Sequence, residues 1–118
     1  MEPIIIALIG AGSRSFGPET VRDILLSEAL TQGRINLRLM DIVADRLSDI
    51  SRYAKSLGEK LGRSSEISTT TSLEAALDGA QFVERLDIDC DRLLRARLWK
   101  LYDEGQLAAC VRGRRGRC

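Results

Sequence analysis

Gly10, Gly12, Ser13, Ser15 and Asp41 are the residues whose types and spacing bear most directly on chemistry. The first four lie in Gly10-Ala11-Gly12-Ser13-Arg14-Ser15-Phe16-Gly17, which follows the apolar run Ile4-Ile5-Ile6-Ala7-Leu8-Ile9. A glycine-rich turn between a buried strand and a helix brings backbone N–H groups against a pyrophosphate. Gly10 lets the strand turn tightly, and Gly12 removes the Cβ that would collide with the pyrophosphate. Ser15 stands where the usual GxGxxG pattern has its third glycine. Asp41 follows the apolar segment Ile35–Met40, where an acidic residue accepts hydrogen bonds from the adenosine ribose hydroxyls. Its charge would repel a 2′-phosphate, which favours NAD over NADP. Each feature also has a purely structural reading. Gly10 and Gly12 can simply start a helix, and Asp41 can be a helix N-cap or turn aspartate. Ser13 and Ser15 can offer hydroxyls to phosphates and Arg14 can add charge, although such loop residues are commonly just solvated. Phe16 reads as a packing residue covering the loop.

The elements that must hold these residues can be read from periodicity. Pro18 to Leu30 carries Val21, Ile24, Leu25 and Leu30 on one helical face, with Pro18 suited to a first helical position. Ile35 to Met40 alternates with period two and predicts a strand ending at Asp41. Leu47, Ile50, Ala54, Leu57 and Leu61 recur at helical spacing up to Gly62. Gly58 inside that helix costs about 1 kcal/mol relative to alanine. Glu66 to Thr70 is β-prone, Thr71 and Glu74 form a capping-box pair for a short helix through Leu77, and Gln81 to Ile88 predicts a fourth strand. The order βαβαβαβ with long connections predicts an α/β, Rossmann-like open parallel sheet, partial at about four strands, with helices on both faces.

Composition narrows the partners. The 118 residues hold 18 basic and 17 acidic side chains, which gives no general reason to expect nucleic acid or membrane. The balance changes along the chain: residues from Arg92 onward carry a net charge of +6, and those before it −5. The expected division is therefore an NAD-binding domain over residues 1–88 and, over 89–118, an aberrant helical stretch and then a disordered basic tail from Cys110 to Cys118. Arg-Gly-Arg-Arg-Gly-Arg could be read as an RNA-binding arm, but the run is short and has no interleaved aromatic residue. Cys90, Cys110 and Cys118 have neither CxxC spacing nor a histidine to complete a metal site, and read as free thiols in a reducing compartment. The N-terminal apolar run is short for a bilayer and follows Glu2, so a cytoplasmic location is expected. A sheet ending at its fourth strand would leave an unpaired edge, which predicts marginal stability or self-association.

Ile9-Gly10-Ala11-Gly12-Ser13 with Phe16, Asp23-Ile24-Leu25 with Ser27-Glu28, Leu39-Met40-Asp41-Ile42 with Arg46-Leu47, and Glu74-Ala75-Ala76-Leu77-Asp78-Gly79-Ala80 before Phe82-Val83 together resemble the N-terminus of family 4 glycoside hydrolases. The resemblance covers about residues 3–83, with a fainter echo at Leu86 to Arg92. It implies an NAD- and divalent-metal-dependent α-glucosidase, α-galactosidase or 6-phospho-glycosidase. On that pattern the cofactor-contacting set is Gly10, Gly12, Ser13, Ser15, Phe16, Asp41 and Ile42. The family chemistry lies outside the two-carboxylate scheme: the sugar C3 hydroxyl is transiently oxidised by NAD, a tyrosine-type base removes the acidified C2 proton, and the glycosidic oxygen leaves by elimination. Water then adds and the hydride returns. A metal, typically manganese, held by a cysteine and a histidine beyond the NAD domain, polarises the sugar oxygens.

The resemblance implies no catalytic or metal-binding residue within this chain. It has no histidine, and Tyr53 and Tyr102 do not fall where the base is expected. The expectation is an NAD-binding portion without turnover of its own, interrupted or out of frame after about residue 84, with the sugar glycoside a partner only of the full-length enzyme. Two other readings stay open: a fragment of a lactate/malate-type NAD-dependent dehydrogenase, and a non-enzymatic dinucleotide-binding module.

Overall fold

The computed structural model of the chain describes residues 3–14, 17–27, 34–63, 65–85, 100, 103–106 and 109–111. The elements are β1 (Ile4–Ile9), α1 (Gly17–Leu26), β2 (Ile35–Met40), α2 (Ala44–Leu61), β3 (Ser65–Thr70), α3 (Leu73–Leu77), β4 (Phe82–Arg85) and β5 (Ala109–Val111). They build one parallel sheet in the order β3-β2-β1-β4-β5. β1 and β2 pair from Ile4–Ile35 to Ile9–Met40, so both strands end at the same level. The chain grows outward from β1 in one direction through β3 and then returns to the other side of β1 at β4. That reversal opens a crevice at the carboxyl ends of the strands, where α/β sheets of this kind bind ligands.

Alternation along β1 explains why its sequence is apolar throughout. Ile4, Ile6 and Leu8 pack on one face with Val21, Ile24 and Leu25 of α1 and Leu47, Ile50 and Ala54 of α2. Ile5, Ala7 and Ile9 pack on the other with Leu73, Ala76 and Leu77 of α3. A strand covered on both faces has no polar register to show. Burying one such aliphatic side chain contributes about 1.5–3 kcal/mol, so the two helix-covered faces are what hold the central strand in place.

Several local features refine the expectations from sequence. α2 ends at Gly62 in the left-handed region (φ 65°), with its N–H bonded to Glu59 O and that of Arg63 to Gly58 O. These paired bonds satisfy the last carbonyls of the helix. Gly58 is more than a propensity penalty, because a Cβ there would lie 2.7 Å from Ser65 Oγ, so its absence lets α2 approach β3. The cap of α3 is Ser72 rather than Thr71: Ser72 Oγ accepts from Ala75 N at 3.2 Å. Thr70 ends β3, and its Oγ1 accepts from Ser72 N at 3.0 Å. At the other end of α3, Arg38 Nη1 from β2 donates to the carbonyls of Ala75, Ala76 and Asp78, placing a cation where the helix dipole is negative.

The sheet also carries one strand more than expected. β5 runs from Ala109 into the segment expected to lack order from Cys110 onward, and pairs Phe82–Ala109 through Glu84–Val111. The edge of β4 is thus covered over these residues, and the outer strands are β3 and β5. Gln106 Nε2, just before β5, donates to Leu77 O at 2.8 Å, tying this segment to the end of α3. Residues 112–118 lie outside the described residues. Among the described residues, no helix is long and apolar enough to cross a membrane.

Candidate nucleotide site

The two turns at the carboxyl ends of β1 and β2 form a single structure. Gly10 takes a positive φ of 81°, a conformation that costs glycine little. This directs the chain sideways, so that the N–H groups of Gly10 and Ala11 both bond to Met40 O, at 2.8 and 2.9 Å. Asp41 is buried, at 6% exposure, and its two carboxylate oxygens accept from the two turns: Oδ2 from Gly12 N at 2.9 Å and Oδ1 from Val43 N at 2.9 Å. Charge-assisted bonds of this kind are stronger than neutral ones, and together they lock the glycine loop to the start of α2.

Gly12 has a structural reason as well as the one inferred from sequence. A Cβ there would lie 2.5 Å from Arg46 Cβ and 2.6 Å from Asp41 Oδ2, distances no real side chain tolerates. Any Cβ would therefore break the clasp before it met a ligand. Gly17 performs the close-packing task that the sequence pattern assigns to a third glycine. It opens α1, its N–H bonds to Ser13 O at 2.8 Å, and a Cβ would lie 2.4 Å from Ala11 O. The GxGxxG spacing puts that glycine at position 15, which is Ser15 here, two residues before Gly17. The signal available in the sequence was Gly17 immediately before Pro18 at a helix start.

The remaining candidates separate by position. Ser13 is half-buried beside the loop, with its N–H on Gly10 O at 3.0 Å. Ile42 is 82% exposed immediately beyond Asp41 in the chain, an apolar side chain left in solvent. Ser15 and Phe16 lie outside the described residues. Against the loop is a groove of about 430 Å³ lined by Gly12, Ser13, Arg14, Arg46, Asp49 and Tyr53, among others. A larger hollow of about 660 Å³ lies between α2 and β3, lined by hydroxyls with Arg52 and Lys55. The smaller groove is the better nucleotide candidate, because it includes the glycine loop and lies beside Asp41.

Two further observations delimit the chemistry. Glu84 on β4 is half-buried, and burial first, then the negative charge of Asp23, raise its pKa above the ordinary 4.5. Its position on the sheet is beside Leu8 rather than at the loop. Among the described residues, no group of three or more His, Cys, Asp or Glu could hold a metal ion. The described residues therefore do not fit a metal centre, and no metal chemistry is assigned to them.

Similarity to known proteins agrees with this geometry. The chain is similar to a 6-phospho-α-glucosidase from gut microorganisms, solved in complex with NAD and Mn²⁺, at 21% identity and a TM-score of 0.63, covering 73% of this chain and 19% of that one. It is also similar to the 6-phospho-β-glucosidase of Thermotoga maritima, solved with NAD and glucose-6-phosphate, at 24% identity and a TM-score of 0.60, covering 73% and 20%. A second structure of a 6-phospho-α-glucosidase from gut microorganisms, with NAD and glucose-6-phosphate, matches at 20% identity and a TM-score of 0.62, covering 82% and 21%. These likenesses establish a shared Rossmann-like fold, and the chain spans about a fifth of each structure's length. Residues 5–88 match the pattern of the family described as family 4 glycosyl hydrolase. With most of its length inside that match, the chain belongs to family 4 of the glycosyl hydrolases.

Proposed function

We propose that this chain is the NAD-binding portion of a glycosidase that hydrolyses O-glycosidic bonds by NAD- and metal-dependent oxidation and elimination, and that it does not turn over glycosides by itself. The observation that carries the reading is the clasp of Asp41 on Gly12 N and Val43 N, which fixes a phosphate-type loop and a ribose-type acid as one unit at the strand ends. Family membership favours the glycosidase over a dehydrogenase of the lactate/malate type.

In this reading, the first turn of α1 faces the pyrophosphate, where the helix dipole favours negative charge, while the N–H groups of Gly10, Ala11, Gly12, Ser13 and Gly17 are spent on holding the loop in shape. Asp41 addresses the adenosine ribose with the acceptor capacity left after its two backbone bonds, since an ionised carboxylate has about four lone-pair sites. Ile42 offers its exposed apolar surface to the adenine, and Ser13 a hydroxyl to the phosphates. Ser15 and Phe16 complete the proposed contact set. When bound, NAD supplies a reversible hydride acceptor for the sugar carbon. The chain's part is to hold it at the strand ends, facing the region that a sugar-binding portion would occupy. The metal and the base belong to that portion.

Thermal melting of the 118-residue chain with increasing NAD tests the binding half of the proposal. Ligand at a hundred times its Kd should stabilise by about 2.7 kcal/mol, read as a rising Tm. The catalytic half is tested by incubation with nitrophenyl glucosides and their 6-phosphates in the presence of NAD and Mn²⁺. No release of nitrophenol is expected from this chain alone, and measurable turnover would overturn the assignment of catalysis to residues elsewhere.

A further inference from the structure

We propose that the groove between the glycine loop and α2 accepts a 2′-phosphate on the adenosine ribose, so that the chain binds NADP(H) alongside NAD(H), with Arg46 as the residue that sets the ratio. The inference rests on the nucleotide reading above and changes one of its sequence-based expectations, that Asp41 would repel the phosphate.

Asp41 is poorly placed to enforce that repulsion. At 6% exposure its carboxylate shows little surface to the groove, and each oxygen already accepts a backbone N–H, which draws part of its charge toward the two turns. Arg46 is placed on the same edge. Its Cβ and Asp41 Oδ2 crowd the same point beside Gly12, at 2.5 and 2.6 Å from where a Cβ of residue 12 would stand. A ribose hydroxyl reaching Asp41 would therefore lie within a side-chain length of the Arg46 guanidinium. Arg14 lines the same groove from the loop side. Both arginines are exposed, and among the described residues neither side chain makes a hydrogen bond or ion pair. A guanidinium matches the geometry of phosphate oxygens and remains charged at any working pH.

Asp45 and Asp49 line the α2 side of the groove and oppose the proposal with two negative charges. They are separated by one helical turn, and Asp49 is three residues from Arg46, close enough to compete for its guanidinium in solution. This competition makes the charge balance testable from both sides.

Isothermal titration of the 118-residue chain with NAD and with NADP, repeated for Arg46→Ala and Asp49→Asn, decides the matter. NADP is expected to bind within about tenfold of NAD, and Arg46→Ala to weaken NADP about tenfold more than it weakens NAD. Asp49→Asn should shift the ratio the opposite way, and added salt should weaken NADP more than NAD. Binding of NAD with NADP about a hundredfold weaker or more, or an Arg46→Ala effect equal on both, would overturn the 2′-phosphate subsite and leave the NAD reading standing. Failure of both dinucleotides to bind would overturn the nucleotide reading and the subsite together.

Discussion

The turns after β1 and β2 end at the same level of the sheet and touch, yet they are built on opposite uses of the side chain. The first depends on what is missing: Gly10 adopts a φ of 81°, and Gly12 and Gly17 leave gaps that a Cβ could not enter. The second depends on one side chain, Asp41, whose carboxylate bonds to backbone N–H groups of both turns. Removing bulk from the first turn is what allows the second to hold it. The loop proposed to face the nucleotide is thus preorganised by a residue proposed to contact it, so binding and folding cannot be separated at Asp41.

Adding bulk to the first turn should have the largest effect. Gly12→Val forces a branched side chain against Arg46 Cβ and Asp41 Oδ2 and is expected to cost roughly 3 kcal/mol, seen as a large loss of Tm or of the cooperative transition. A Tm equal to that of the unmodified chain would show that the two turns are not clasped. Taking away the side chain of the second turn comes next. Asp41→Ala leaves two N–H groups without their carboxylate and is expected to cost about 2–3 kcal/mol in a thermal or urea melt without any ligand. Loss of NAD binding in either variant would then report damage to the fold as well as to the site.

A cleaner probe of the ligand side is Ile42→Asp. At 82% exposure the side chain supports little of the fold, so stability without ligand should change by less than about 0.5 kcal/mol. NAD affinity should fall by about tenfold, since the adenine would meet a hydrated carboxylate in place of an apolar surface. Titration calorimetry checks both the contrast with Asp41→Ala and its direction.

The smallest expected effect lies away from the turns, at Glu84. Its folded pKa is raised by burial and by Asp23, so the folded chain binds the proton more tightly than the unfolded one. Stability contributed by this group is therefore intact below the ordinary pKa of 4.5 and is lost as pH rises through the higher folded value. Glu84→Gln should raise stability at pH 7 by at most about 1 kcal/mol, given solvent screening of a half-exposed group, and change little at pH 4. Melts at the two pH values read the difference.

Much of this architecture is legible from residue pattern, and the exceptions have physical causes. β1, α2 and the position of Asp41 at a strand end follow from period and strand length, because burial on two faces or one leaves a clear hydropathy record. The two roles of Asp41 were both available as readings, as turn aspartate and as ribose contact, and the structure realises the first directly. Gly17 was hidden because its purpose is an approach to the Ala11 carbonyl, and contacts across a turn leave no periodic trace. The approach of the Arg46 Cβ to Gly12 is likewise a contact between two turns, with no periodic signal in the sequence. Ser72 displaced Thr71 as the cap by a shift of one residue, the scale at which helix boundaries blur. β5 is three residues long, too short to show alternation.

The central claim is that NAD binds across the two clasped turns, and the most direct measurement is an NMR titration of the isotope-labelled chain with NAD, following backbone amides. The account predicts saturable shifts concentrated in residues 10–14 and 41–43, with Ser65–Thr70 and the Arg52 and Lys55 side of α2 unmoved. Absence of shifts, or shifts centred on the hollow between α2 and β3, would contradict it.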